Sequence, residues 1–194
     1  MKKIPTLFER VYENHRVVDI KPNITPGCEE AFLHGDATVK IDGSCCAIID
    51  GEFYKRYDAK KGKKPPVGSI PCCEPDPITW HHPHWVKVDP NNPSDKWFWR
   101  AYLTTKEIDG YVKDGTYEAV CKHFNGNPYN MENDRLERHG IRERFVKRTF
   151  EDIREYLRTT NIEGIVFWLG GEPVCKIKRS DFGFEWPVKK GETK

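Results

Sequence analysis

The stretch ATVKIDGSCCAIIDGEFYKRYDAKKGKK, residues 37–64, carries the strongest indications of the fold. Residues 38–49 are rich in β-branched and small side chains, and residues 52–57 resume the same strand-like composition. Asp50-Gly51 between them is a typical two-residue hairpin turn. The sequence therefore predicts an antiparallel hairpin, followed by a loop over residues 60–66 that is too rich in lysine, glycine and proline to be core.

Outward from this hairpin, the pattern predicts one helix and several further strands. Residues 149–159 form the helix, with Thr149 as its cap, Asp152 in its first turn and an apolar stripe made by Phe150, Ile153 and Leu157. The proline-rich residues 71–96 are predicted to be extended and irregular. The predicted strands are 96–104, 115–121, 165–168 and 174–177, the last two joined at Gly170-Gly171.

These elements predict an α+β fold of mainly antiparallel β-sheets with a few helices. The chain has 194 residues and no internal repeat or low-complexity linker, so we expect a single domain over residues 1–194. The net charge of +2 accompanies 32% charged residues, so local clustering has to indicate the partners.

The composition also bears on the setting of the protein. No window is apolar enough for a membrane-spanning helix, so we expect no membrane partner. The seven cysteines are odd in number and include the adjacent pairs Cys45-Cys46 and Cys72-Cys73. Adjacent residues on a strand point to opposite faces, and adjacent cysteines rarely bridge each other. We therefore predict reduced thiols and a cytoplasmic location.

Charged residues recur at the predicted strands in an order that indicates phosphate chemistry. Lys40 begins Lys-Ile-Asp-Gly, Glu118 lies in a predicted strand, and Glu163 directly precedes another. Lys176 and Lys178 are two residues apart on a strand, so their ammonium groups project from the same face. Positive charges crowded together favour the neutral, nucleophilic form of a nearby amine. The same charges suit a phosphate whose negative charge grows during phosphoryl transfer.

In this order the motifs resemble the covalent nucleotidyltransferase superfamily of polynucleotide ligases and RNA capping enzymes, and most closely the vertebrate-type ATP-dependent 5′–3′ RNA ligases. The resemblance spans about residues 36–179. It rests on VKIDGSCC, YKRYDAKKG, EPDPITWHHPHW, DGTYEAV with the following NPY, EGIVF and KIKR.

The resemblance implies an ATP-grasp-like nucleotidyltransferase (adenylylation) domain of the DNA/RNA ligase type. Lys40 would attack the α-phosphate of ATP to form lysyl-AMP, with Mg²⁺ or Mn²⁺ required and Glu163 helping to organise the metal. The AMP would then pass to an RNA 5′-phosphate, which an RNA 3′-hydroxyl would seal. The residues implied to contact the nucleotide are Ile41, Asp42, Gly43, Arg56, Glu118, Glu163, Lys176 and Lys178, with Glu118 on the ribose and the two lysines on the α-phosphate. Phe145 is a candidate for the aromatic that stacks on adenine.

The departures from the family pattern narrow the reading. DNA ligases and capping enzymes commonly have arginine where this chain has Cys45, which favours an RNA ligase, in which the arginine is the later Arg56. No oligonucleotide-binding domain is expected after KIKR, and we expect a monomer. The alternatives are a DNA ligase, a GTP-dependent capping enzyme, or a nucleotide- or RNA-binding module without turnover.

Three surface features have both a structural and a functional interpretation. The lysines of the basic loop either form a solvated face or bind the RNA backbone, and we predict RNA contact for Lys55, Lys60, Lys61, Lys63 and Lys64. Trp80, Trp85, Trp97 and Trp99 either stack bases or, more simply, anchor the core and loops. A zinc site is open at Cys72, Cys73, His81, His82 and His84, although their spacing fits no standard zinc finger.

Overall fold

A computed structural model describes residues 3–14, 16–60, 62–77 and 79–187. Most of its regular elements are strands, and the paired strands of all its sheets are antiparallel, as predicted for the α+β class. The helices are α1 (Glu29–His34), α2 (Lys96–Asp109) and α3 (Phe150–Thr159). The strands are β1 (Phe8–Glu13), β2 (Arg16–Ile24), β3 (Asp36–Lys40), β4 (Ser44–Ile49), β5 (Glu52–Ala59), β6 (Ile70–Pro71), β7 (His82–Lys87), β8 (Gly115–Val120), β9 (Arg135–Arg138), β10 (Gly164–Leu169) and β11 (Glu172–Lys178).

The chain predicted as one domain is divided into two compact units, which we describe separately. The terminal unit comprises residues 4–41 and 140–187, and the central unit comprises residues 3 and 42–139. The boundary falls inside the Lys-Ile-Asp-Gly motif, between Ile41 and Asp42.

The terminal unit contains the ribbon β1-β2 and a three-stranded sheet in the order β11-β10-β3. One face of that sheet is apolar, because alternate residues along β10 and β11 are fully buried, namely Ile165, Phe167, Cys175 and Ile177. Phe32 of α1 packs edge-on against Phe167, with ring centroids 5.6 Å apart. The aromatic cluster extends to Phe8 and Phe150, so this face is the core of the unit.

Helix α3 confirms its sequence prediction. The Thr149 side chain accepts a hydrogen bond from the Asp152 backbone N–H, which satisfies one of the free donors at the helix start. Ile153 and Leu157 are buried as the apolar stripe requires. At the other end, the buried Arg179 guanidinium donates to the carbonyls of Leu157 and Thr160. Arg179, the last residue of KIKR, therefore joins the end of β11 to the end of α3.

The central unit is a six-stranded sheet in the order β6-β7-β5-β4-β8-β9, with α2 against one face. The β4-β5 hairpin is confirmed: Asp50 and Gly51 both have positive φ, as this tight turn demands. The core under α2 consists of side chains from four strands and α2 with their flanking segments, Cys46, Ile48, Phe53, Val88, Ala101, Tyr117, Ala119, Phe124 and Leu136.

The prediction of a strand at residues 96–104 is wrong, because these residues begin α2. Phe98, Ala101 and Tyr102 recur at helical spacing, and they pack on the core of the central unit. Asn92 caps a short 3₁₀ turn before the helix, and Gly110 ends it in the left-handed conformation. The predicted irregular stretch 71–96 also contains β7, which pairs with β5.

Candidate functional site

In the terminal unit, Lys40, Lys176 and Lys178 lie on the face of the three-stranded sheet opposite the aromatic core; we call this set the lysine face. Lys40 of β3 and Lys178 of β11 both pair with Gly164 of the central strand. Residues directly opposite in an antiparallel sheet share a face, and residues two apart along a strand do as well. The two-residue spacing of Lys176 and Lys178 therefore has the consequence predicted from sequence.

Gly164 separates Lys40 from Lys178 without a side chain of its own. A Cβ at this position would lie 2.2 Å from the Ile177 carbonyl oxygen and 3.0 Å from the Lys178 Cα. Such an approach is closer than atoms tolerate, so glycine is required by the close passage of β11. Because Gly164, the glycine of EGIVF, has no side chain, none lies between Lys40 and Lys178 on this face.

Glu163, the residue before β10, contacts the predicted nucleophile. Its Oε2 accepts a hydrogen bond from Lys40 Nζ at 2.5 Å, and the two side chains are only 22% (Lys40) and 11% (Glu163) exposed. The Glu163 backbone carbonyl also accepts from the Arg179 N–H, which fixes the start of β10. Lys40 and Glu163, separated by 123 residues in sequence, thus form one ion pair in a largely desolvated position.

Burial first, and then the positive charges of Lys40, Lys178 and Arg10, together lower the pKa of Lys176 from 10.5 to about 8, against a smaller opposing effect of Glu163. Each of these cations makes it harder to hold another proton on the same surface. Like charge therefore contributes, after burial, to the lowered pKa of Lys176. A negatively charged group on the lysine face would offset this like charge.

Arg10 and Asp181, which the sequence did not indicate, form an ion pair next to Lys178. Arg10 of β1 donates through Nη2 to Asp181 Oδ1 at 2.6 Å. The other Asp181 oxygen accepts from the Lys178 backbone N–H at 2.8 Å. Arg10 lies 171 residues from Asp181, and β1 was not predicted as a strand. Only the folded pairing reveals this contact.

In the central unit, Asp42 and Gly43 are held by hydrogen bonds to Asn125 and to Tyr129 of the NPY segment. The Asp42 N–H donates to the Tyr129 hydroxyl at 2.5 Å, and Asn125 Nδ2 donates to Asp42 Oδ1 and to the Gly43 carbonyl, both at 2.8 Å. A Cβ on Gly43 would lie 2.5 Å from the Ala119 carbonyl oxygen. Asp42 and Gly43 therefore shape the backbone rather than present long side chains. Ile41, also predicted at the nucleotide, has a buried side chain.

The face of the central sheet opposite α2 carries a polar row across three strands, which we call the polar row: Arg56 of β5, Cys45 of β4 and Glu118 of β8. Cys45 and Glu118 are cross-strand partners. Arg56 donates through Nε to Asp58 Oδ1 at 2.7 Å, and its positive charge lowers the pKa of the Cys45 thiol against the larger effect of burial. Arg56 therefore lies on the same face of the sheet as Cys45, on the neighbouring strand.

Glu118 has a partner that the sequence did not indicate. His139 Nε2 lies 3.2 Å from Glu118 Oε1, and His139 Nδ1 lies 2.9 Å from the Thr116 hydroxyl. The imidazole is held at both nitrogens, so it fixes one oxygen of the Glu118 carboxylate. Burial and then the negative charge of Glu118 together raise the pKa of Cys45 to about 12. Cys45 is thus a protonated thiol in the row.

The predicted RNA-binding lysines fall into two groups. The Lys55 ammonium forms an ion pair with the buried carboxylate of Asp95, so an RNA contact there would compete with a structural interaction. Lys60, Lys63 and Lys64 are exposed beyond the end of β5. Lys61 lies outside the described residues. RNA contact remains a prediction for all five.

The two remaining candidates from the sequence are the zinc site around His82 and His84 and the adenine-stacking Phe145. His82 and His84 have ring centroids 4.2 Å apart, and His84 is buried with Nδ1 at the His82 carbonyl. Over residues 3–14, 16–60, 62–77 and 79–187, no group of three or more His, Cys, Asp or Glu side chains is arranged to hold a metal ion. Phe145 is 98% exposed.

The seven cysteines, all within the described ranges, are free thiols. Among the helices that the structure describes, none has the length and apolar character needed to cross a membrane. The sequence matches no protein-family model, and no curated protein is significantly similar to it.

Proposed function

We propose that the chain is an ATP-dependent RNA ligase that joins 5′-phosphate and 3′-hydroxyl RNA ends through a covalent lysyl-AMP intermediate. The proposal includes an ATP-grasp-like adenylylation fold and a cytoplasmic setting, for which the free thiols are support. The observation that carries it is the lysine face: a lysine amine on a carboxylate oxygen, on the same sheet face as two further lysines.

The first step follows from the atoms of that face. An ammonium has no lone pair, so Lys40 Nζ must lose a proton before it attacks, and Glu163 Oε2 is an acceptor within hydrogen-bond distance. The Nζ–Pα bond then forms as the bond from Pα to the bridging oxygen of Pβ breaks. Pyrophosphate leaves with that electron pair, while Lys176 and Lys178 offset the negative charge on the phosphates.

The later steps return the lysine unchanged. An oxygen of the RNA 5′-phosphate attacks Pα of lysyl-AMP, the P–N bond breaks, and the amine recovers its electron pair and its proton. The 3′-hydroxyl of a second RNA end then attacks the 5′-phosphorus, loses its proton, and displaces AMP. The resemblance, rather than a measured distance, carries Arg56 and Glu118 as further nucleotide contacts.

The donor set fits a magnesium or manganese ion held mostly by its substrate. Mg²⁺ commonly takes one or two protein carboxylates and completes its shell with waters and phosphate oxygens. Glu163 is a carboxylate next to the predicted nucleophile, so it is the residue that would hold the ion. When bound, the ion supplies neutralisation of the triphosphate and pyrophosphate charge.

Covalent labelling tests the first step. The protein is incubated with α-labelled ATP or GTP and Mn²⁺, and label that stays on the denatured protein, resists alkali and is released by acid, as a P–N bond requires, is measured for the wild type, Lys40→Ala and the matched control Lys106→Ala on the exposed end of α2. We expect label from ATP in the wild type and the control, and none in Lys40→Ala because the attacking nitrogen is gone. Label from GTP alone would instead favour a capping enzyme, and no label would favour a binding module.

The nucleic-acid substrate is tested by sealing. Nicked RNA, single-stranded RNA and nicked DNA, each with a 5′-phosphate, are offered to the pre-adenylylated protein. We expect the wild type to seal RNA and to release AMP. We expect Lys40→Ala to seal nothing, because it cannot form the lysyl-AMP intermediate. Sealing of DNA without RNA would replace the proposal by a DNA ligase.

A further inference from the structure

An open cavity lies at one end of the β5-β7 ladder in the central unit, and the proposed adenylylation chemistry does not involve it. Ala59, the last residue of β5, pairs with His82, the first residue of β7. The basic loop that follows β5 and the loop with Trp80 that precedes β7 therefore begin and end at the same end of this ladder. Between these loops lies the cavity, of about 380 Å³, lined among others by Lys60, Lys63, Trp80 and His82.

Trp80 is the aromatic wall of this cavity. It is 57% exposed, whereas Trp85 is buried and Trp97 and Trp99 pack on the core. Its backbone has φ of +57°, a conformation that bulky residues rarely adopt because it costs free energy. Two hydrogen bonds to Asp76 hold the turn: the Trp80 N–H donates to the Asp76 carbonyl, and the Thr79 N–H donates to Asp76 Oδ1. The loop thus fixes an exposed indole instead of burying it.

Lys60 and Lys63 supply positive charge to the lining of the same cavity. The Lys63 N–H donates to the Lys60 carbonyl at 2.9 Å, so the backbones of the two lysines are close to each other. Within the part of the chain that the structure describes, neither lysine forms an ion pair. The nearby Asp58 carboxylate already contacts Arg56 and His81. The cavity therefore combines a flat aromatic surface with two uncompensated ammonium groups.

We propose that this cavity binds one nucleotide of a single-stranded RNA, with the base stacked on Trp80 and its phosphate at Lys60 and Lys63. Stacking on an aromatic ring with cationic contacts to the backbone is the common mode of binding single strands without sequence preference. The inference rests on the proposed function for the identity of the nucleic acid. It adds to that function a contact for the RNA within the central unit.

The test measures RNA affinity without ATP. The probe is a single-stranded, 5′-phosphorylated oligouridine of roughly 12 nucleotides, a length that one single-strand-binding domain covers. Fluorescence anisotropy gives its dissociation constant from about 50 to 200 mM salt, a range over which phosphate contacts are strongly screened. We expect Trp80→Ala to weaken binding about 10-fold at every salt concentration, because stacking is lost and charge is unchanged. Trp80→Phe, which keeps a ring, should stay within about 3-fold of the wild type.

The charge variant changes a different quantity. Lys60→Gln with Lys63→Gln should lower the slope of log affinity against log salt by about 1.4, since each phosphate contact to a single strand contributes about 0.7. Tyr111→Ala is the matched aromatic control, because it is similarly exposed in the same unit. Lys106→Gln with Lys113→Gln is the matched charge control. Both controls should bind as the wild type does.

The outcomes separate this inference from the proposed function. Adenylylation by labelled ATP reports the function, and the anisotropy series reports the cavity. Wild-type RNA affinity in Trp80→Ala, or equal effects from the control variants, overturns the cavity proposal even if label forms. Loss of label in Trp80→Ala with an unchanged melting temperature also overturns it, because the cavity would then serve ATP. A Trp80 effect without any label upholds the cavity and overturns the ligase.

Discussion

The lysine face of the terminal unit and the polar row of the central unit handle charge in opposite ways. On the lysine face, Lys40, Lys176 and Lys178 share one side of a sheet, and Arg10 acts on Lys176 as well. In the polar row each charge has its own counterpart, with Arg56 on Asp58 and Glu118 on His139. On the lysine face three lysines surround one carboxylate, Glu163, whereas in the polar row each charged side chain has its own hydrogen-bond partner.

The two arrangements are expected to affect ligand binding and folding stability differently. Like charges held together raise the free energy of the folded protein, and they are tolerated where an anionic ligand or transition state will offset them. Hydrogen-bonded pairs have little such cost and stabilise the fold modestly. Removing a charge should therefore have opposite effects on stability in the two regions, although activity should fall in both.

The largest effect is expected from Lys176→Met, which removes one cation from the lysine face and keeps its apolar stem. Self-adenylylation should fall about 100-fold or more, as when one donor to a developing negative charge is lost. The folded protein should nevertheless become more stable at pH 7, by about 1–3 kcal/mol, because each pKa unit by which burial and like charge depress a lysine corresponds to about 1.4 kcal/mol. Urea unfolding measures the gain.

The pH dependence gives this prediction its sign. The pKa of Lys176 is about 8 in the folded protein and 10.5 ordinarily, so the unfolded chain holds more protons between these values. Wild-type stability from this group therefore rises with pH across that window, and the cost is full below it. The gap between Lys176→Met and the wild type should shrink from pH 8 towards pH 10. Lys106→Met, on the exposed part of α2, should show a constant gap within about 0.5 kcal/mol; the same behaviour in Lys176→Met would refute crowding on the lysine face.

Some secondary-structure elements were predicted correctly from the sequence and others were not, and the reasons are physical. The Thr149 cap, the α3 stripe and the Asp50-Gly51 turn depend on neighbouring residues, so short patterns predicted them correctly. Helix α2 was mistaken for a strand because its aromatics suit either structure in isolation. The flanking signals, a proline turn before it and Gly110 after it, were the better guides.

The same distinction applies to the candidate site. Strand alternation and motif order indicated Lys40, Glu163, Lys176 and Lys178, and the structure places all four around the start of β10. The partners of the charged residues were not predictable. Arg10 meets Asp181 and His139 meets Glu118 only through long-range pairing, which no local pattern encodes.

An intermediate effect is expected from Glu118→Ala in the polar row. If Glu118 holds a ribose hydroxyl, the wild type should use ATP about 10-fold better than the deoxy nucleotide lacking that hydroxyl, because a hydrogen bond to a charged group is lost. The variant should lose this preference. The measurement is kcat/KM for self-adenylylation with ATP, 2′-deoxyATP and 3′-deoxyATP.

Its stability effect is the reverse of that on the lysine face. Losing the contact with His139 should destabilise Glu118→Ala by about 1 kcal/mol. Glu132→Ala, an exposed acid of the same unit, is the matched control and should keep both the preference and the stability. An unchanged preference in Glu118→Ala would assign the polar row to structure alone.

The smallest effect is expected at Cys45, the neutral member of the polar row. Burial, followed by the charge of Glu118, raises its pKa to about 12, so only about 1 in 10,000 molecules holds the thiolate at pH 8, against about one quarter for an ordinary thiol. Iodoacetamide at pH 8 should therefore leave Cys45 unmodified in the folded protein and modify it in urea, which peptide mass spectrometry detects in the same chain. Cys45→Ala should keep self-adenylylation within about 2-fold, because the thiol packs beside Glu118 and Arg56 without carrying charge. Rapid alkylation of the folded protein with loss of label would instead make Cys45 a charged participant, and the polar row would no longer consist of hydrogen-bonded pairs around a neutral thiol.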